Sequence, residues 1–162
     1  MAAPKKGKAK SRTNEPTIEN RRARHDYLIE STLECGIRLV GTEVKSVRNG
    51  QVSLAEGYVR ASDTPISLEL HGVHIAEYPP AGERQHAPAR ARALLASKRE
   101  IRKLADATRS KGVTIVPLKM YFTRGRAKLL IGIAHGKRRS DKRQDLAAKD
   151  AKRDMKRAMR KG

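Results

Sequence analysis

From His25 onward apolar and polar positions alternate, and that alternation predicts strands. Tyr27, Ile29 and Leu33 fall at period two, Gly36 interrupts, and Ile37 and Leu39 follow, a strand–break–strand pattern. Residues 41–50 change to helical spacing. Thr42 is the expected N-cap, Glu43 suits the positive end of the helix dipole, and Asn49-Gly50 offers a left-handed exit. Val44, Val47 and Leu54 are assigned to the core. Short strands are expected at 58–60, 66–70 and 73–78, with turns at 63–65 and at Gly72. Residues 79–92 carry Pro79, Pro80, Gly82 and Pro88 and read as a loop. Ser97 and Glu100 form a capping box, and the helix they start turns Ile101, Leu104 and Ala105 to one side before stopping ahead of Gly112. Residues 113–122 and 127–134 make a hairpin about Arg124-Gly125. Strand runs, one well-capped helix and a closing hairpin predict a mainly β chain. The expected architecture is a small antiparallel barrel of the oligonucleotide-binding (OB-fold) type with flanking helices.

Charge divides the chain further. Of the net +20, residues 1–24 hold eight Lys/Arg against two Glu, and residues 136–162 hold twelve against four Asp. Residues 25–135 hold seventeen against eleven. The reading is a disordered basic arm at 1–20, one RNA-binding barrel at 21–135, and a basic tail at 136–162. The tail has good helix formers but only a thin apolar stripe, Leu146, Met155 and Met159. It is expected to be disordered when free and helical on RNA. Cationic arms gain most on a polyanion, where each neutralised phosphate releases condensed counterions.

Composition narrows the function classes. With four Tyr, one Phe and no Trp, recognition by stacking of splayed bases is poorly supplied, so backbone and shape are the expected targets. The lone Cys35 cannot close an internal disulfide and suits a cytoplasmic setting. No secretory leader and no apolar run of roughly 20 residues argue against export or a membrane partner. His71 and His74 lie three apart in strand-like sequence and point to opposite faces, so no metal site is expected. No phosphate-binding glycine loop and no nucleophile–base set stands out, so neither a cofactor nor an enzyme is expected. Three segments join basic residues to rigid turns: 20–27 with Arg24 and His25, 45–50 with Lys45 and Arg48, and 85–92 with Arg90 and Arg92. Together they suggest a surface that tracks phosphates.

Those segments belong to a longer set. It runs Arg24-His25-Asp26-Tyr27; Gly41-Thr42-Glu43-Val44-Lys45-Ser46; Pro88 with Arg90 and Arg92 ahead of Leu94-Leu95. Gly112 with Val116-Pro117-Leu118 and Gly136-Lys137 with Asp141-Lys142-Arg143 complete it. As a set, over about residues 20–157, it resembles the small protein B (SmpB) family of SsrA-binding proteins. The resemblance implies an adaptor that binds the tRNA-like domain of tmRNA and delivers it to stalled ribosomes in trans-translation. It implies Glu34, Leu95 and Lys128 as tmRNA-contacting positions. Lys128 suits a phosphate, Leu95 a base or sugar, and Glu34 a base amine, a 2′-hydroxyl or the orientation of a basic neighbour. In the tail it implies Gly136, Lys137, Asp141, Lys142 and Arg143 at the decoding centre, with Lys149, Arg153 and Arg157 along small-subunit rRNA in the empty mRNA channel. Elongation factor Tu would be met only through charged tmRNA. The chain departs from the family pattern at Ser140, where an aromatic is frequent, and at Gln85, Ala87 and Ala93. A ribosomal protein or general rRNA-binding factor, and an RNA-processing enzyme, remain the alternative classes.

Overall fold

The computed structural model describes residues 15–160. In chain order it forms β1 (Ile18–Glu19), α1 (Arg21–Asp26), β2 (Tyr27–Ile37), α2 (Gly41–Arg48), β3 (Val52–Ser53), β4 (Tyr58–Asp63), β5 (Ile66–His71) and β6 (His74–Ile75). After a single 3-10 turn at Pro79–Ala81 come β7 (Arg92–Leu95), α3 (Lys98–Thr108), β8 (Val113–Thr123), β9 (Arg126–Gly136) and α4 (Arg139–Met159). The molecule is mainly β with flanking helices, as its alternation predicts. The large sheet runs β1-β8-β4-β5-β7-β2-β9, and β9 pairs with β8 as well, so the pairing path returns to β8. β3 and β6 form a separate pair.

Inward residues of the ladder make the core. Leu70, Ile75, Ile115, Met120, Leu129 and Ile131 have no exposed surface, and α2 adds Val47 while α3 adds Ile101 and Leu104. Ala23 of α1 sits on a smaller cluster with Val116, Leu118 and Ala134. The Ser97 box forms as expected: Ser97 Oγ accepts from the Glu100 amide at 3.3 Å, and Glu100 Oε2 accepts from the Ser97 amide at 2.9 Å. The β8–β9 hairpin turns at Arg124 and Gly125, with φ of 52° and 73°. Two successive left-handed residues match the right-handed twist of the flanking strands.

Several expectations change. β2 is one continuous strand rather than two, because Gly36 stays in the ladder, opposite Leu95 on one side and Lys128 on the other. The helix α1 was not predicted. Asn20, 4% exposed, starts it: its Oδ1 accepts from the Ala23 amide, and its Nδ2 donates to the carbonyls of Leu54 and Pro117, each at 2.9 Å. The expected disordered arm therefore ends before residue 20, since Ile18 and Glu19 pair with Met120 and Lys119. Residues 1–14 of that arm lie outside the described residues. Thr42 is not the cap of α2. Val40 occupies that position, and Glu43 Oε2 accepts from its amide at 2.9 Å. In the tail, residues expected to be disordered in the free chain form α4, about 31 Å long at 1.5 Å per residue. Its Ala, Lys, Arg and Leu content favours helix, Asp141 lies in the first turn, and Lys156 and Arg157 lie in the last, as the helix dipole prefers.

Candidate nucleic-acid interface

The ladder brings four side-chain positions into one row across four strands. Leu95 on β7 faces Gly36 on β2, Gly36 faces Lys128 on β9, and Lys128 faces Tyr121 on β8. Leu94, Cys35, Ile37, Leu129 and Met120, the alternate residues, point into the core. Period two therefore sends the row outward, and Glu34, two residues before Gly36, shares its face. Lys128 Nζ lies 3.6 Å from Glu34 Oε1, and the Tyr121 hydroxyl donates to Glu34 Oε2. Glu34 thus holds the ammonium and the phenol in place. Leu95 is 54% exposed and lies over Gly36, where a Cβ would come within 3.3 Å of the Leu95 Cβ. The three positions implied by the resemblance are together, and Tyr121 joins them. Burial first, and then the Glu34 carboxylate, push the Tyr121 phenol up to about 12, so it remains a donor.

Beside the row lies a groove of about 370 Å³, lined in part by Leu39, Val44, Leu95, Phe122, Arg126 and Lys128. The Arg48 guanidinium sits 5.4 Å above the Phe122 ring, at the groove's rim, and also pairs with Glu15 at 3.4 Å. Lys45, exposed on α2, has its ammonium 5.0 Å from the Tyr78 ring. Apolar floor and cationic rim together offer a surface for a sugar or base edge flanked by phosphates.

The third basic segment does something else. Arg92 was expected to face RNA, but it is fully buried. Its Nε donates to Glu43 Oε1 at 2.8 Å, Nη1 to the carbonyls of Val73 and Arg90, and Nη2 to the carbonyl of Pro88. Arg90 is turned inward as well: Nε and Nη2 bond the same Glu43 carboxylate at 2.8 and 2.6 Å. Two arginines thus neutralise a carboxylate with no exposed surface, and the loop is clamped onto α2. Burial would push the Glu43 carboxyl up, but bonds from Arg90, the Val40 amide and Arg92 hold it below its ordinary 4.5. His86 belongs to the same clamp. Its Nε2 donates to the Ile75 carbonyl at 3.1 Å, which leaves Nδ1 to accept from the Thr42 hydroxyl at 2.8 Å.

Arg24 and His25 are exposed but far from the row. Tyr27 faces Gly136 at one end of the β2–β9 ladder, and Gly36 faces Lys128 toward the other. Nine residues of strand separate the two ends by about 30 Å. At this far end the tail is tied to α1. Lys137 Nζ donates to the Arg24 carbonyl at 3.1 Å and to Asp145, and Lys142 Nζ donates to Asp26 Oδ1 at 2.9 Å. Asp141 Oδ2 accepts from the Arg138 amide at 3.1 Å and closes the first turn of α4. Gly136 and Arg143 are exposed here, and Lys149, Arg153 and Arg157 lie exposed along the helix. Among the described residues no three His, Cys, Asp or Glu side chains gather as a metal site requires. Cys35 is buried, donates to the Leu129 carbonyl, and has its thiol pushed up to about 12 by burial, so it is an inert core residue.

With this geometry in view, comparison with known proteins is decisive. The family model described as SmpB protein matches residues 17–161. The chain belongs to the SmpB family. It is 49% identical to the SsrA-binding protein of Thermobifida fusca over 158 residues, covering 98% of both chains. It is 50% identical to that of Listeria monocytogenes strain EGD-e over 142 residues, 88% of this chain and 91% of the relative. The SsrA-binding protein of a Mycobacterium species (strain KMS) is 48% identical over 158 residues, 96% of this chain and 93% of the relative. Among solved structures, a chain described under "tmRNA-SmpB: a journey to the center of the bacterial ribosome" superposes with a TM-score of 0.65 at 46% identity. That match covers 81% of this chain and 94% of the other.

Asp26, the third residue of the SmpB-like Arg24-His25-Asp26-Tyr27 motif, is, with Tyr121, a residue to which sequence reasoning gave no role. Hydrogen bonds from Lys142 first, and then from His25, lower its carboxyl from 3.8 to about 2. A depressed carboxyl contributes stability above its unfolded value and loses it as pH falls through the folded one. The contact between α1 and α4 is therefore expected to persist to about pH 4 and to open as pH falls toward about 2. Amide exchange in the first turn of α4, followed by NMR during acidification, reads this directly. Asp26→Asn should show the open state at neutral pH. Unchanged protection in that variant would refute the tether.

Proposed function

We propose that this chain is a non-enzymatic RNA adaptor of ribosome rescue in the cytoplasm. It binds the tRNA-like domain of tmRNA and carries it to stalled ribosomes for trans-translation. The basic tail enters the decoding centre and the empty mRNA channel, and elongation factor Tu is met through charged tmRNA. The observation that carries this reading is the outward row of Leu95, Gly36, Lys128 and Tyr121 with Glu34 beside it. An apolar contact, a phosphate ligand and two fixed polar groups lie within one sheet face. Membership of the SmpB family, relatives named SsrA-binding protein and a 46% identical tmRNA–SmpB neighbour support it. The pairing path that returns to β8 supports the finer architectural reading, a small barrel of the OB-fold type. No helix among the described residues is long and apolar enough to cross a membrane.

A competition assay tests the reading. Labelled tRNA-like domain is challenged with excess tRNA at about 150 mM salt, where nonspecific phosphate binding is weak. Retained binding is expected, and displacement by tRNA would make the chain a general cationic RNA binder. In the same assay Lys128→Ala is expected to weaken binding roughly tenfold, the worth of one charge-assisted contact. Its thermal melt should match that of the unaltered chain, because the ammonium is partly exposed and touches only Glu34 among described ion pairs. Unchanged affinity would remove Lys128 from the contact set.

A further inference from the structure

The far end of the ladder holds a second cationic site that no single stretch of sequence contains. A cleft of about 220 Å³ lies between α1 and α4, lined by Arg21, Arg24 and His25 on one side and Asp145, Leu146 and Lys149 on the other. Arg21, Arg24 and His25 lie three and four apart on α1, and Asp145 and Lys149 lie four apart on α4, so each helix turns one face to the cleft. Three full positive charges meet one carboxylate there, and Lys137 already holds that carboxylate. Arg21, Arg24 and Lys149 have no ion-pair partner among the described residues, whereas Asp26 and Lys142 hold the helices together just beside them. Leu146, half exposed, contributes an apolar wall that strengthens the field inside the cleft. Like charges thus line one cleft with a single carboxylate, already engaged by Lys137, to offset them, a site prepared for an anion.

We propose that the α1–α4 cleft is one phosphate-binding site for ribosomal RNA, built jointly by both helices. This rests on the adaptor reading and deepens it. Residues that the sequence divides between a basic, phosphate-tracking segment (Arg24, His25) and, by the family resemblance, the mRNA channel (Lys149) share a single ligand in this geometry. Ribosomal RNA is favoured over tmRNA because the cleft lies about 30 Å along the ladder from the Leu95–Lys128 row. Half of it, moreover, is the tail itself.

A double-mutant cycle on the full chain tests the site, with purified small ribosomal subunits as the probe. Arg24→Ala and Lys149→Ala are each expected to raise Kd roughly fivefold and to lower the salt slope by about one. If both hold one phosphate, the double variant should lose roughly tenfold or less, not the roughly 25-fold of independent sites. Arg60→Ala, exposed on β4 and outside both surfaces, serves as the reference: any effect it has should multiply with that of Lys149→Ala. Affinity for the tRNA-like domain should stay unchanged in the cleft variants. Independent losses for Arg24 and Lys149, or a parallel loss for the tRNA-like domain, would overturn the assignment. So would failure of the unaltered chain to bind small subunits, while the competition assay with tRNA still decides the adaptor reading by itself.

Discussion

Arg92→Ala is expected to lower the unfolding free energy by about 3–5 kcal/mol, the usual loss when one partner of a buried ion pair is removed. Neither Arg92 nor Glu43 has exposed side-chain surface, so the carboxylate that remains cannot turn to water. It would keep Arg90 and the Val40 amide, while the carbonyls of Val73 and Arg90 would lose their donor and that of Pro88 would keep only the Ile75 amide. Against a total stability of about 5–15 kcal/mol for a domain of this kind, the loss is a large fraction. A denaturant melt measures it as a lowered midpoint with an unchanged slope. The pH dependence should move with it. Glu43 lies below its ordinary 4.5 in the folded protein, so its contribution is present above that value and fades as pH falls through the folded one. Removing Arg92 takes away part of what holds the carboxyl down, so acid unfolding should begin at higher pH than in the unaltered chain. Protein that remains folded should keep its affinity for the tRNA-like domain, because Arg92 presents no surface to a ligand. A variant that folds with full stability but binds RNA poorly would restore Arg92 to the interface and overturn the structural role.

Arg92 also shows where reading charge as surface goes wrong. In β7 Arg92 and Leu94 share one face, and Ala93 and Leu95 share the other, so period two already placed Arg92 inward and Leu95 outward. The general tendency of arginine to be exposed masks that signal. Its partner was visible too, since Glu43 and Val47 are four apart on α2 and both are buried. Features governed by a few adjacent residues were legible: the Ser97 box, the Gly50 exit with φ of 72°, and the Arg124-Gly125 turn. The helix α1 was not, because its six residues bury only Ala23 and carry no apolar stripe. Glu34, Leu95 and Lys128 came from the family resemblance, and their juxtaposition with Tyr121 needed the strand register. Alternation does not supply that register where β2 shifts between Ile29 and Ser31 and β8 shifts between Pro117 and Lys119. The second shift accompanies a proline, which cannot donate to the ladder. The tie between Asp26 and Lys142 spans 116 residues and has no local signature.

Ending the chain after Gly136 is expected to leave affinity for the tRNA-like domain within about twofold and to abolish ribosome rescue. The first expectation follows from the ladder: β9 is complete at Gly136, which faces Tyr27, and the Leu95–Lys128 row lies about 30 Å away toward the β8–β9 turn. What α1 loses is its bond from the Lys137 amide to the Asp26 carbonyl, the Lys137 ammonium and the Lys142 tether, none of which touches the row. The twofold allowance covers the long-range field of the twelve basic and four acidic residues removed, which is screened beyond about 8 Å at physiological salt. Rescue is lost because the truncation removes every residue assigned to the decoding centre and channel except Gly136. It also removes Asp145, Leu146 and Lys149, one whole wall of the α1–α4 cleft. Two readouts on one variant separate these effects: equilibrium binding of the tRNA-like domain at about 150 mM salt, and peptide tagging on ribosomes stalled without a codon. Equal loss of both would mean that tail and sheet face act on the same RNA, and the assignment of one surface to tmRNA and the other to the ribosome would fail. Loss of tagging alone leaves the sheet face as the tmRNA surface and assigns the ribosomal step to the tail, with the double-mutant cycle on Arg24 and Lys149 reading the share of the α1–α4 cleft.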